Sequence, residues 1–150
     1  MSVNPAWPYG TPQDFAELFL TSPASPAAGA NFLFAVPANQ LWRLISVKFH
    51  VLTSAAVPVR RVQLQLNYAG QILYRSDAQF SQPASTDTDY MFAAHAHGDT
   101  GVQGAWSFGW LPIGSYIHLN AIIQSAIVGI DAADQISNID IFYHRWIMST

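Results

Sequence analysis

The chain has 150 residues, 51% of them hydrophobic and only 10% charged, with a net charge of −3 and no cysteine. That length forms one domain with a full core, and a charged share so far below the usual ~25% points to a surface covered by self-assembly or built of uncharged polar groups. A lone lysine, Lys48, and five scattered arginines, of which only Arg60 and Arg61 adjoin, exclude nucleic-acid binding, while the missing cysteines exclude disulfides and thiolate metal sites.

Residues 1–30 read as an N-terminal arm. "MSVNPAWPYGTPQ" and "TSPASPAAGAN" are rich in Pro, Ala, Ser and Gly, which disfavour helix interiors and central strands. No basic start leads into an apolar run, and no apolar stretch approaches the ~20 residues of a membrane helix. A soluble chain made inside the cell, with no membrane partner, is therefore expected. Between the two segments, "QDFAELFL" (Gln13 to Leu20) predicts one short amphipathic helix, with Asp14 suited to the helix dipole. So short a helix is marginal alone. The arm needs a surface to dock on, with Trp7, Phe15, Leu18 and Phe19 as its interface residues. That surface belongs either to the chain's own domain or to a neighbouring subunit.

From residue 31 the pattern switches to a period of two. A weaker strand at Phe32 to Val36 precedes "LWRLISVKFHVLT" (Leu41 to Thr53), where Ile45, Val47, Phe49 and Val51 alternate with Ser46, Lys48 and His50. "VRRVQLQLNY" repeats the alternation through Val62, Leu64 and Leu66, and "NYAGQ" supplies a glycine for a tight turn into Ile72 to Arg75. Further strands are predicted at Asp89 to His97, Ala105 to Trp110, Ser115 to Gln124 and Ile136 to Ile147, separated by Pro-, Gly-, Ser- and Asp-marked loops. The expected fold is all-β: an eight-stranded antiparallel β-sandwich of jelly-roll type over residues 31–150, preceded by the Pro-rich arm.

In a jelly roll the first long strand and the last are antiparallel neighbours. Only registers that keep Ile45, Val47 and Phe49 on the same face as Ile139, Ile141 and Tyr143 bury a common core. Val47 opposite Ile141 does this, and sets Lys48 opposite Asp140, a pair worth ~0.2–1 kcal/mol. It also sets Ser46 opposite Phe142 and Trp42 opposite Trp146 on the outer face. Trp42, Phe142 and Trp146 are thus expected to form an interface with another subunit or with the arm.

"AAHAHGD" places His95 and His97 on one side of a strand. It is similar to the HxH of the cupins, jelly-roll metalloproteins, with His118 available on a later strand as a third imidazole. The cupin pattern has a glutamate within a few residues, but the only glutamate here is Glu17, in the arm. No bound metal and no cofactor are expected. "TDTD" and "GIDAAD" lack the ligand spacing of a calcium loop and read as turns. No GxSxG or similar nucleophile setting occurs, so a non-enzymatic role is expected. Trp106, Phe108 and Trp110 fall on one face of a strand. Core filling is the leading reading, and an exposed row stacking on sugar rings is the alternative.

"VQLQLNYAGQILYR" followed by "SQPAS", "LPIGSYIHLNAIIQ" and the closing "AADQISNIDIFYHRW" carry a resemblance over roughly residues 41–147. Together they resemble small structural proteins of tailed bacteriophages. The resemblance implies a jelly-roll virion protein, made in the host cytoplasm, of the head decoration (cement) or minor capsid kind. Its expected partners are further copies of itself, with a trimer as the leading arrangement, and a major capsid or other virion protein. A glycan-binding virion module and a cupin-like metalloprotein remain the alternatives.

Overall fold

The computed structural model describes residues 17–93, 106–111, 116–117 and 119–147, without the Trp106 side chain. Among these residues eleven strands run in chain order: β1 (Glu17–Thr21), β2 (Leu33–Ala35), β3 (Gln40–Leu52), β4 (Val59–Tyr68), β5 (Gln71–Asp77), β6 (Gln82–Pro83), β7 (Asp87–Ala93), β8 (Trp106–Trp110), β9 (Tyr116–Ile117), β10 (Ile122–Val128) and β11 (Gln135–Ile147). They form two sheets. The first has the order β1-β11-β3-β7-β8, with the short β9 also on β3, and the second β2-β10-β4-β5, with β6 on β4. The fold is an all-β sandwich. All pairings are antiparallel except β7 with β8, which run parallel. The strand expected at Ser115 to Gln124 is two pieces, β9 and β10.

The core between the sheets is built by alternation. Val62, Leu64 and Leu66 of β4 face Val47, Phe49 and Val51 of β3, with Phe92 of β7 and Ile139 and Ile141 of β11 beside them, all buried. Stacked and edge-on rings fill its middle: Phe49 contacts Phe32, Tyr90 and Phe92 at centroid distances of 5.1, 5.7 and 5.8 Å. The β4–β5 hairpin turns through Ala69 and Gly70, with φ of 49° and 79°. Positive φ at both central residues is what a two-residue turn needs to match the strand twist.

β11 and β3 meet in the expected register at their centre: Asp140 pairs with Lys48, Ile141 with Val47, and Phe142 with Ser46. Two bulges then alter the phase. Between Phe142 and Tyr143 the register skips Ile45, which has no partner on β11. Ile45, expected to face inward, is therefore only half-buried, and the inward set shifts from odd to even positions, Leu44 and Trp42. Trp42, expected opposite Trp146 on the outer face, pairs instead with Arg145, while Trp146 pairs with Leu41. Only 1% of Trp42 is exposed. It is stacked between Phe34 and Tyr143 at 5.5 and 3.4 Å. The second bulge sets Asn138 and Ile139 against Phe49, with Asn138 at φ 49°. It lets both Ile136 and Ile139 point into the core.

The helix expected at Gln13 to Leu20 is, over its described residues, the strand β1, paired with β11 from Glu17↔Arg145 to Thr21↔Ile141. A ladder partner and a docking site for Phe19 outweigh the weak helical period. The Phe19 ring lies 5.9 Å from Tyr143 with the Arg145 guanidinium 3.5 Å above it. The connector to β2 is also held on the chain's own domain. The Ser22 hydroxyl donates to Asp140 (2.6 Å), the Gly29 N–H to the Asp134 carbonyl (2.8 Å), and the Asn31 side chain accepts from Ser125 and the Ile127 N–H. At Gly29, φ is 74° and a Cβ would stand 2.7 Å from Ala132, so only glycine fits this approach.

Candidate functional site

Pairing across the first sheet aligns side chains in rows on its outer face. One row runs Leu20, Phe142, Ser46, Ala93, Trp110 across β1, β11, β3, β7 and β8. The row beside it holds Asp140, Lys48, Met91 and Phe108, and toward the other end Leu18, His144, Arg43 and Tyr116 align. Leu18 and Leu20 are 62% and 52% exposed, and Trp110 is 56% exposed. Phe142 and Tyr116 are also open to solvent, and the Tyr116 ring meets Trp146 edge-on at 5.4 Å. Ser46, small and overlain by these neighbours, is buried. The apolar and aromatic groups lie toward the β1, β8 and β9 end of this face, while Lys48, Asp140 and the His50–Asp89 contact (3.4 Å), with Asp87 beside it, make the rest of it charged.

At its foot stand two polar atoms without a hydrogen-bond partner, His144 Nδ1 and Trp146 Nε1, both shut off from solvent. Their rings are 6.4 Å apart. A buried polar atom left unpaired is costly.

The outer face of the second sheet has a different character. Gln124 donates to Gln65 (3.0 Å), Gln65 to Gln63 (3.4 Å) and Gln63 to Asp77 (2.6 Å), while Arg61 approaches Asp77 at 3.6 Å. These amides pair with one another across β10, β4 and β5, although Asn67 Oδ1, further along β4, is buried without a hydrogen-bond partner.

The carboxylates of "GIDAAD" are engaged within the chain. Asp134 is buried and receives Arg60 Nε and Nη2 (2.9 and 2.7 Å) and the Ser54 and Asp131 N–H groups (2.7 and 2.8 Å). Burial alone would push its carboxyl up, but the Arg60 hydrogen bonds and charge, with the two N–H donors, outweigh it and hold the group at about 2. Asp131 is held below its ordinary range by the Ala133 N–H and then the Ser54 hydroxyl. A carboxylate kept ionised that far below neutral pH is a poor proton shuttle. This cluster ties the loop after β3 to the loop before β11. Burial pushes the Tyr90 hydroxyl well above its usual value, and it donates to Gln82 (3.0 Å).

Among the described residues no three His, Cys, Asp or Glu side chains are grouped to hold a metal ion. His95, His97, His118, Trp7 and Phe15 lie outside the described residues. Of the remaining expected interface residues, Leu18, Phe142 and Trp146 share the outer face, Phe19 points inward onto Tyr143, and Trp42 belongs to the core. Of the aromatic row of β8 expected to fill the core, Phe108 and Trp110 lie on the outer face instead, half-buried and exposed, and the Trp106 side chain lies outside the described residues. Inward-facing Ser107 and Gly109 take the core side, where Gly109 leaves room for the Phe92 ring. Leu20, Tyr116 and His144 were not singled out by the sequence reading, because β1 read as helical and β9 as part of a longer strand. No protein-family model, curated protein or solved structure matches the chain.

Proposed function

We propose that the chain is a non-enzymatic structural protein that works by burying the outer face of its first sheet. The setting we propose is the virion, as a head decoration or minor capsid component built from several copies. The observation that carries the reading is the row Leu20, Phe142, Ser46, Ala93, Trp110 and its apolar neighbours, on a chain that is only 10% charged. Contiguous exposed apolar surface marks a protein contact. The strand order is consistent with a jelly roll: leaving out the two-residue β6 and β9 and the parallel-paired β8, the strands run first, eighth, third, sixth in one sheet and second, seventh, fourth, fifth in the other.

The test is incorporation. Particles banded on a density gradient should contain the chain in stoichiometric amount by quantitative mass spectrometry, and Phe142→Asp should lower that amount at least tenfold without unfolding the protein. Absence of the chain from purified particles would overturn the reading. A second reading, sugar stacking, is favoured by one observation, the exposed Trp110 in line with Phe108. Binding on a glycan array that Trp110→Ala removes would establish it.

A further inference from the structure

Among the described residues β1 has a neighbour on one side only, β11, and stands at the end of the strand order. Its other edge presents backbone N–H and C=O groups from every second residue. Edge strands normally carry a guard against pairing, such as proline, lysine, a bulge or a cover. β1 reads "ELFLT", has a regular register with β11, and carries no proline or lysine. Its single charge, Glu17, is engaged with Arg145 at 3.8 Å. Leu18 and Leu20, both exposed, stand on its outer side.

We propose that this edge pairs with β1 of a second copy, antiparallel about a two-fold axis through Phe19. The proposal rests on the structural-protein reading and supplies its partner. Side chains keep their faces only in registers that pair residues of equal parity. Of these, the one centred on Phe19 alone pairs all five residues of the strand: Glu17 with Thr21′, Leu18 with Leu20′, and Phe19 with its own copy. The strand is self-complementary in that register. Its one acidic group meets a threonine rather than its like, and two Leu–Leu cross-strand pairs form on the outer side.

A two-fold axis perpendicular to the sheet leaves both outer faces on the same side. Leu18, Leu20 and Phe142 of each protomer then form one continuous apolar floor, a larger docking surface than either copy offers. The contact is isologous and closes as a dimer, so higher orders grow from dimers. That replaces the expected trimer as the first step of assembly.

The experiment uses the full chain and three charge variants, with association measured by sedimentation and multi-angle light scattering. Leu18→Lys with Leu20→Lys sets like charges opposite each other across the seam, as does Leu18→Glu with Leu20→Glu. Leu18→Lys with Leu20→Glu sets Lys opposite Glu in the proposed register only. The native chain should be a dimer, both like-charge variants should dissociate with at least a tenfold rise in Kd, and the mixed variant should retain the dimer. All positions are solvent-facing, and circular dichroism checks that each variant is folded. A second measurement exploits the absence of cysteine: oxidised Leu18→Cys/Leu20→Cys protein should run as a covalent dimer.

A monomeric native chain, or a dimer indifferent to all three variants, would overturn the seam. Loss of association in the mixed variant to the same degree as in the others would overturn the register. Incorporation into particles by a monomeric chain would leave the structural role standing while removing the seam.

Discussion

Replacing Arg60 with methionine isolates the most committed polar interaction of the fold. Both partners of the Arg60–Asp134 pair have fully buried side chains, and two hydrogen bonds, at 2.9 and 2.7 Å, join them. Arg60 also donates to the Ser54 hydroxyl (2.8 Å) and to the Val57 carbonyl. Methionine fills the space and leaves Asp134 buried with only the Ser54 and Asp131 N–H groups. Breaking a buried pair from one side costs about 3–5 kcal/mol, because the other charge stays behind.

The pH dependence follows from the depressed Asp134 carboxyl. Folded at about 2 against an ordinary 3.8, it contributes stability that is present above pH 4 and lost as pH falls toward 2. The full contribution is about 2.5 kcal/mol, of which about 1 kcal/mol is gone at pH 3. In Arg60→Met burial pushes the same carboxyl upward, so protonation relieves the variant while it weakens the native protein. Urea unfolding followed by tryptophan fluorescence should therefore show a cost of about 3–5 kcal/mol at pH 7 that narrows by about 1 kcal/mol or more at pH 3. Arg60→Met/Asp134→Leu should recover much of the loss. A cost below about 1 kcal/mol at pH 7, or one that does not shrink at pH 3, would refute the account.

Gly109→Ala should destabilise by about 1–3 kcal/mol in the same assay, since its Cβ would lie 2.2 Å from the buried Phe92 ring. An unchanged urea midpoint would mean that β8 does not pack as described. Ala69→Gly should stabilise or leave stability unchanged, because Ala69 holds φ 49° in a turn open to solvent, and a clear loss in melting temperature would count against the turn geometry. Asn138→Ala should cost about 1 kcal/mol and Asn138→Gly less, through the left-handed backbone of the bulge; equal costs would show that the backbone conformation is not the cause.

The register was legible because charge and hydrophobicity agreed on it. Lys48 opposite Asp140 and Val47 opposite Ile141 follow from period two once the first long strand is paired with the last, and both pairs form. What period two cannot carry is an insertion. Ile45 is apolar and sits in an unbroken alternation, so nothing marks it as the skipped residue; the pattern placed Trp42 outside when it is stacked on Tyr143. The other bulge left a trace in "ISNID", because asparagine tolerates positive φ better than most residues. β1 was misread for a different reason. Phe15, Leu18 and Phe19 fit a helical period, and the residues that overrule it, Tyr143 and Arg145, lie more than a hundred positions away. Helical period in so short a window is weak against a ladder partner.

The contrast between the two outer faces carries the functional argument further than either face alone. The second sheet also exposes Leu33, Ile72 and Leu73 on its edge strands β2 and β5 and Val59, Tyr68 and Val128 at the ends of β4 and β10, with Gln124 and Gln65 in the row between Leu33 and Arg75. Its centre is a run of amides that spend their donors on one another. On the first sheet Phe142 is exposed on the interior strand β11, with Leu20 beside it on the edge strand β1, while His144 Nδ1 and Trp146 Nε1 lack partners nearby. A chain selected only for solubility would place such groups the other way round, with the self-satisfied amides free to vary and the apolar row replaced by charge. Phe142, exposed on an interior strand, is what favours the first sheet as the side proposed to meet a partner. The contrast also predicts opposite responses to the same substitution: lysine at Gln65 should leave assembly unaltered, and lysine at Phe142 should disperse it. Equal effects of the two variants on sedimentation would refute this assignment of the faces.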